Sequence, residues 1–172
     1  MLRRGYVIAL LMVVSVLLPL ALMAEETAGE EAKGETFGDW GKRCETPKEG
    51  GDEVCFIFQQ LKVKENNQTI LFVTMGIAPN GKGPVMVLTA PLGVALQAGM
   101  QLQVGEEGEP IRAAYNLCLT NGCRASLLLD EKLLEAMKGG EKLFVAFANA
   151  QGKGIKLAVS LDGFTEASNS LQ

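Results

Sequence analysis

From Phe37 onward, the chain consists of short apolar or alternating runs separated by glycine, proline and asparagine, which is the pattern of antiparallel β proteins. The alternation is plainest near the end of the chain, where every second residue is large and apolar: Ile155, Leu157, Val159 and Leu161. The pattern predicts nine strands, at residues 37–44, 53–63, 69–77, 84–90, 100–105, 111–119, 123–129, 142–150 and 154–161. We therefore expect an all-β fold, an antiparallel β-sandwich of about nine strands.

One segment, "DEKLLEAMKGG", has helical rather than alternating spacing. Asp130 can cap a first turn, and Leu133, Leu134 and Met137 recur on one face of a helix. A lysine and two glycines at the end of the segment suit the last turn and the stop of a helix. We expect one short helix at about residues 130–138, packed on the edge of a sheet.

The first 24 residues have the layout of a secretory signal peptide. Arg3 and Arg4 precede an apolar run at residues 6–22, and Ala24 stands directly before two glutamates. We expect cleavage after Ala24. Because an apolar run of 17 residues is at the lower limit for crossing a bilayer, an uncleaved anchor is the alternative.

The rest of the chain divides into three parts. Residues 25–35 hold five glutamates and no large apolar residue, which predicts a flexible acidic tail. Residues 36–167 form a single β-sandwich domain in this interpretation, and residues 168–172 form a C-terminal tail. The 16 basic residues, less the two arginines of the signal peptide, leave 14 against 20 acidic residues, a net charge of −6. Such a protein neutralises phosphates poorly, so we expect no nucleic-acid partner.

Histidine is absent from the sequence. Its absence excludes Ser-His-Asp and Cys-His catalysis and the usual His-containing zinc sites. A hydrolase that uses carboxylates alone would need no histidine, but the 20 acidic residues are scattered and define no facing pair. We therefore expect a protein that is not an enzyme, and we predict no catalytic residue, no cofactor and no metal site.

The segment "GIAPNGKG" matches the beginning of a phosphate-binding loop at Gly76, Gly81 and Lys82. The magnesium-binding serine or threonine is replaced by Gly83, and a strand-like run follows where a helix should begin. We interpret the segment as a hairpin turn. The single tryptophan, Trp40, is interpreted as an anchor of the core or between sheets rather than as a ligand platform.

Four cysteines in an exported chain predict two disulfide bonds, for which three pairings exist. Each of the pairs Cys44–Cys55 and Cys118–Cys123 encloses a stretch rich in turn-forming residues, so these are the favoured pairings. The four residues inside "CLTNGC" do not fit the C-x-x-C motif of thiol exchange. We interpret this segment as a disulfide-closed hairpin.

The register of that hairpin depends on its loop. A two-residue turn at residues 121–122 would place Cys118 opposite Ala125, so the two sulfur atoms could not meet. A four-residue loop at residues 119–122, with its last residue left-handed, places Cys118 opposite Cys123 at a Cα separation of about 4.5–5.5 Å. We expect the second arrangement.

Five segments of the chain form a recognisable set: "FGDW" with Cys44 shortly after it, "CFIFQQL", "TAPLGVALQAGMQLQV", "YNLCLTNGCRA" and "LFVAFANAQGKGIKLAVSLDGFTEA". On these segments the chain resembles the invasion-associated locus B family of bacterial envelope proteins over residues 36–167. The most specific parts of the resemblance are the C-x-x-x-G-C-x-A stretch and the terminal L-x-G-F. The resemblance implies an exported, non-catalytic β protein, with members in some pathogens connected with entry into host cells.

Our leading hypothesis is an envelope or surface interaction protein, periplasmic, at the outer membrane or secreted. Its partner would be a protein of the bacterial envelope or of a host membrane. Membrane contact would occur only through an uncleaved signal or by peripheral association. The hairpin tip, Thr120 and Asn121, is the candidate binding face. The alternatives are a general envelope-maintenance factor and a periplasmic binder of a small apolar ligand, the latter suggested by the methionine-containing strands "ILFVTM" and "VMVLTA".

Overall fold

The computed structural model describes residues 34–46, 51–78 and 82–171. The predicted signal peptide and all but the last two residues of the predicted acidic tail lie outside the described residues, as do residues 79–81 of the predicted hairpin turn. Among the residues described, no helix is both long and apolar enough to cross a membrane.

Eleven strands and two helices are present within these ranges. In chain order they are β1 (Glu35–Phe37), β2 (Trp40–Glu45), β3 (Val54–Lys62), β4 (Thr69–Ile77), β5 (Pro84–Ala90), β6 (Met100–Val104), β7 (Ile111–Ala113), β8 (Tyr115–Leu119), β9 (Gly122–Leu128), α1 (Glu131–Gly139), β10 (Lys142–Ala148), β11 (Gly154–Ser160) and α2 (Phe164–Asn169). A 3₁₀ turn at Leu96–Ala98 precedes β6. The strands form a seven-stranded sheet, β1-β2-β3-β4-β5-β9-β8, and a four-stranded sheet, β11-β10-β6-β7.

Every strand pair is antiparallel, and the predicted all-β sandwich is confirmed. The strand number is eleven rather than nine because two predicted strands are each divided. The first is broken by a tight turn at Gly38, whose φ of 52° favours glycine. The other, residues 111–119, leaves the small sheet as β7 and enters the large sheet as β8 after Ala114.

Helix α1 forms as the spacing predicts. The Asp130 side chain accepts a hydrogen bond from the Leu133 amide at 2.7 Å, which caps the first turn. Leu133 and Met137 are buried on the face toward the core.

Helix α2 is absent from the sequence prediction because six residues are too few to show a helical period. The predicted tail at residues 168–172 is corrected accordingly: Ser168 is buried in α2, and Leu171 packs against the core. At the other end, Glu35 belongs to β1 and not to the acidic tail.

The space between the two sheets is filled by side chains from both. The largest fully buried ones are Trp40, Phe164, Ile57, Leu71, Met86, Leu88, Met100, Leu102, Met137, Leu143, Val73 and Val145. Burial of apolar surface on this scale is the main stabilising term of such a domain.

A polar connection crosses this core at the Ser160 backbone. The Trp40 indole N–H donates to the Ser160 carbonyl at 2.9 Å, and the Gln59 side-chain amide donates to the same carbonyl at 3.1 Å. The Ser160 N–H in turn donates to the Gln59 side-chain oxygen at 3.0 Å. Since Trp40 and Gln59 belong to the large sheet and Ser160 to the small one, these bonds fix the position of one sheet against the other.

The β1–β2 turn is packed against the start of α2. The Trp40 and Phe164 rings meet edge to face, with centroids 5.2 Å apart. The Asp39 N–H donates to the Asp162 carbonyl at 3.2 Å. A Cβ at Gly163 would lie 2.0 Å from the Phe37 carbonyl oxygen, so only glycine allows this approach. The "FGDW" and "LDGF" segments therefore form one structural unit.

We expect Gln59→Leu to lower the free energy of unfolding by about 2–3 kcal/mol, because the substitution removes the acceptor of the Ser160 N–H and one of the two side-chain donors to the Ser160 carbonyl. Urea unfolding at neutral pH measures the change. The neighbouring Gln60 is the matched control: it is exposed and bonds only to Thr69 among the described contacts, so Gln60→Leu should shift stability by no more than about 0.5 kcal/mol. Equal effects of the two substitutions would contradict the role given to Gln59.

Candidate functional site

The face of the large sheet that points away from the core, here called the outer face, is rich in apolar side chains. Alternation along the strands assigns to it Val54, Phe56, Phe58, Phe72, Val85, Val87, Leu117, Leu119 and Leu128. The face is open to solvent, since Val54 is 40%, Leu117 49% and Leu128 53% exposed. Exposed apolar residues grouped on one face of a sheet are characteristic of an interaction site.

Three phenylalanines form a cluster on the outer face. The ring centroids of Phe56 and Phe58 are 6.3 Å apart, and those of Phe58 and Phe72 are 5.8 Å apart. The Phe58 ring lies over Gly41, where a Cβ would stand only 2.7 Å from the ring. The Arg43 guanidinium covers the same ring at 5.7 Å from its centroid. Neighbouring strands thus hold the cluster in place.

Two grooves run beside the phenylalanine cluster. The Arg124 groove, of about 310 Å³, is lined by Glu45, Phe56, Phe72, Thr74, Val87, Thr89, Asn121 and Arg124. The Leu92 groove, of about 520 Å³, is lined by Gln60, Gln68, Thr69, Phe72, Thr89, Ala90, Pro91, Leu92, Thr120 and Asn121. The two grooves share Phe72, Thr89 and Asn121 and therefore form one continuous depression on the outer face.

The outer face has a charge opposite to that of the protein. The charged residues that alternation places on it are Arg43, Lys62 and Arg124, with Glu45 as the acidic exception, whereas the whole chain has a net charge of −4. The Glu45 carboxylate is engaged by Arg43 at 3.7 Å. The site is thus an apolar surface with a local excess of positive charge.

Thr120 and Asn121 lie at the tip of the β8–β9 hairpin, as the sequence predicts. Both residues are exposed and line the Leu92 groove, and Asn121 also lines the Arg124 groove. The structure therefore brings the predicted binding residues to one margin of the outer face. Their contribution to binding stays a prediction.

The disulfide pairing is the one predicted, Cys44–Cys55 and Cys118–Cys123. Each bond joins directly opposed residues of neighbouring strands, with Cα separations of 3.9 and 4.0 Å. The sulfur atoms of the first pair and a carboxylate oxygen of Glu53 lie within 4.8 Å of one another. Because both sulfurs are consumed in a disulfide, this group offers no thiolate to a metal ion.

The predicted loop of the "CLTNGC" hairpin needs a correction. Cys118 lies opposite Cys123 as expected, but Leu119 also pairs with Gly122, so the loop contains two residues and not four. Gly122 has a φ of 139°, and a Cβ there would stand 2.3 Å from the Ala90 carbonyl oxygen. Glycine is required by the close approach of β5, a contact outside the hairpin that local turn rules do not include.

The strands "ILFVTM" and "VMVLTA", which suggested a binder of a small apolar ligand, contribute their methionines to the core. Leu71, Val73, Met75, Met86 and Leu88 are all at most 2% exposed and fill the space between the sheets. A separate cleft of about 700 Å³ is open at the surface between α1 and the β6–β7 connection. It is lined by Val104, Gly108, Glu109, Pro110, Ile111, Asp130, Lys132, Leu133 and Ala136.

Sequence reasoning did not identify the outer face, although a signal was present. In "VCFIF" and "ILFV" both faces of a strand carry apolar residues, which a strand with one solvated face does not require. No local sequence pattern pointed to Arg124, because the strand residues around it come from four other strands, β2 to β5.

The chain is thus an antiparallel β-sandwich with two cross-strand disulfides in its large sheet and an outer face that is apolar and locally basic. Residues 40–172 match the family described as Invasion associated locus B (IalB) protein, and the chain belongs to this family.

The chain is 26% identical over 143 residues to invasion protein B of Bartonella bacilliformis, covering 81% of this chain and 74% of that protein. It is 27% identical over 153 residues to an invasion protein B homolog of Brucella abortus, covering 88% of this chain and 86% of the homolog. The crystal structure of invasion associated protein B from Bartonella henselae superposes with a TM-score of 0.69 at 27% identity, over 80% of this chain and 93% of that one.

We expect loss of the two disulfides to have unequal effects on stability. In the chain-entropy account, closing the longer segment between Cys44 and Cys55 stabilises by about 3 kcal/mol, and closing the shorter one between Cys118 and Cys123 by about 2 kcal/mol. Urea unfolding of the two double-serine variants without reductant measures both values. The reverse order would show that the Cys118–Cys123 bond acts through the native hairpin rather than through the unfolded chain.

Burial raises the pKa of Tyr115 to about 12, and its hydroxyl has no hydrogen-bond partner among the described residues. Between pH 10 and about 12 the unfolded chain has therefore released a proton that the folded chain retains, so stability falls as the pH rises through this window. We expect Tyr115→Phe to remove this part of the fall. Tyrosinate absorbance of the protein without residues 1–24 isolates Tyr115, since the other of the two tyrosines is Tyr6. Ionisation near pH 10 in the folded protein would contradict the burial argument.

Proposed function

We propose that the protein is an exported, non-catalytic component of the bacterial envelope that binds a protein partner through the outer face. The observation that carries this proposal is the apolar and aromatic outer face, which is open to solvent while the opposite face of the same sheet supplies the core. Interfaces are enriched in aromatic residues and arginine, which are the residue types found here.

Export is supported by the signal-like pattern of residues 1–24 and by two disulfides, which persist in oxidising compartments. The location that fits both is the periplasm, the outer membrane or the exterior. The relatives named as invasion proteins support a partner on the host cell. A general envelope role, with a bacterial partner, is the competing form of the same proposal.

The absence of a catalytic role is supported by composition, because a chain without histidine lacks the commonest general base and nucleophile-activating group. The alternative of a small apolar ligand is weakened by the burial of the strands that suggested it. The open cleft beside α1 is the place where such a ligand would bind.

Site-specific cross-linking in living cells tests the proposal. A photoreactive phenylalanine analogue at Phe72 probes the outer face, and the same analogue at Phe144 is the matched control. Phe144 lies on the solvent face of the small sheet, where Lys156 covers its ring at 4.4 Å from the centroid. We expect a discrete protein adduct from Phe72 and none from Phe144.

The adduct should disappear when Val87→Asp is added on the same face, because a charge at the centre of an apolar interface is costly to desolvate. Circular dichroism and thermal unfolding check that this variant remains folded. Equal adducts from both positions, or none from Phe72, would refute partner binding by the outer face. A small apolar molecule retained in native mass spectra, together with no adduct, would favour the ligand-binding alternative.

A further inference from the structure

Building on the proposed function, we infer that the Arg124 groove receives an acidic side chain of the partner protein, presented among apolar residues of the same partner segment. Arg124 is the site of carboxylate recognition in this inference. The phenylalanine cluster and Val87 receive the flanking apolar side chains.

Arg124 is placed for this role by the sheet. It lies in β9 with Thr89 of β5 on one side and Leu117 of β8 on the other. Its Nε atom is buried without a hydrogen-bond partner, and among the described residues no carboxylate lies within salt-bridge distance of its guanidinium. A buried donor without a partner carries a desolvation cost, and a rotation of the guanidinium toward an incoming carboxylate would relieve it.

The other charges on the outer face point to the same ligand chemistry. Glu45 lines the groove but is ion-paired with Arg43, while Arg124 and Lys62 have no carboxylate partner among the described ion pairs. A locally basic face on an otherwise acidic protein attracts a negatively charged group to that face. The planar Arg124 guanidinium can donate two parallel hydrogen bonds to one carboxylate.

The shape of the site favours a protein segment over an anionic bilayer. The Arg124 groove is concave, and its volume of about 310 Å³ is near the lower end for ligand pockets, so it suits one or two inserted side chains. A bilayer surface would instead interact with exposed basic side chains on a convex surface or an amphipathic helix. A partner segment in which one carboxylate stands between apolar residues fits both the positive charge of Arg124 and the concave shape of the groove.

The test uses an array of short peptides in which one glutamate stands among leucine, valine and phenylalanine, each paired with its glutamine analogue. We expect the full-length protein to bind glutamate peptides in preference to their glutamine analogues. Arg124→Gln should weaken this binding about tenfold, the usual order for a charge-assisted contact. Arg124→Lys should retain part of it. Arg112→Gln, which removes the same charge from the small sheet, should leave it unchanged.

Vesicles of phosphatidylglycerol, with phosphatidylcholine vesicles as the control, form the second arm. The inference would be overturned if glutamine peptides bound as well as glutamate peptides, or if no peptide showed glutamate-dependent binding. Arg124-dependent binding to phosphatidylglycerol vesicles alone would also overturn it. The Phe72 cross-linking result separates this failure from failure of the proposed function. An adduct that persists in Arg124→Gln and disappears in Val87→Asp would retain the interaction face and reject the carboxylate site.

Discussion

The structure depends on the hydrogen bonds that meet at the Ser160 backbone. Burial of apolar surface is non-directional, so it specifies the relative position of two sheets less sharply than buried hydrogen bonds do. The Gln59 amide both donates to and accepts from Ser160, and Trp40 donates to the same carbonyl. A buried amide with all of its bonds satisfied is stable in one relative position of the sheets and costly in any other.

Segments on which the family resemblance rests take part in this packing. Gly38 and Gly163 allow the β1–β2 turn and α2 to touch, and the Phe164 ring packs edge to face against Trp40. In "CLTNGC", Gly122 allows the hairpin to approach β5, while Ala125 beyond it is fully buried. Since these residues are used to build the sandwich, the partner binding that we propose would depend on other side chains, those of the outer face.

The sequence was informative where structure is local. Alternation located the strands, the Asp130 cap and the Leu133–Met137 spacing located α1, and proximity paired the cysteines. It was silent where contacts join distant segments. Gln59 and Ser160 are 101 residues apart, and the division of residues 111–119 between two sheets depends on packing that no local pattern encodes. The surroundings of Arg124 are of the same long-range kind.

The disulfides connect this architecture to the proposed partner binding. One joins β2 to β3 near one edge of the large sheet, and the other joins β8 to β9 at the opposite edge. The edge strand β1 is only three residues long and β8 carries a register shift after Tyr115, so both edges are poor templates for pairing with another chain. The broad face remains available while the edges are protected. A face held rigid at both margins loses little conformational entropy on binding, so more of its apolar contact area contributes to affinity.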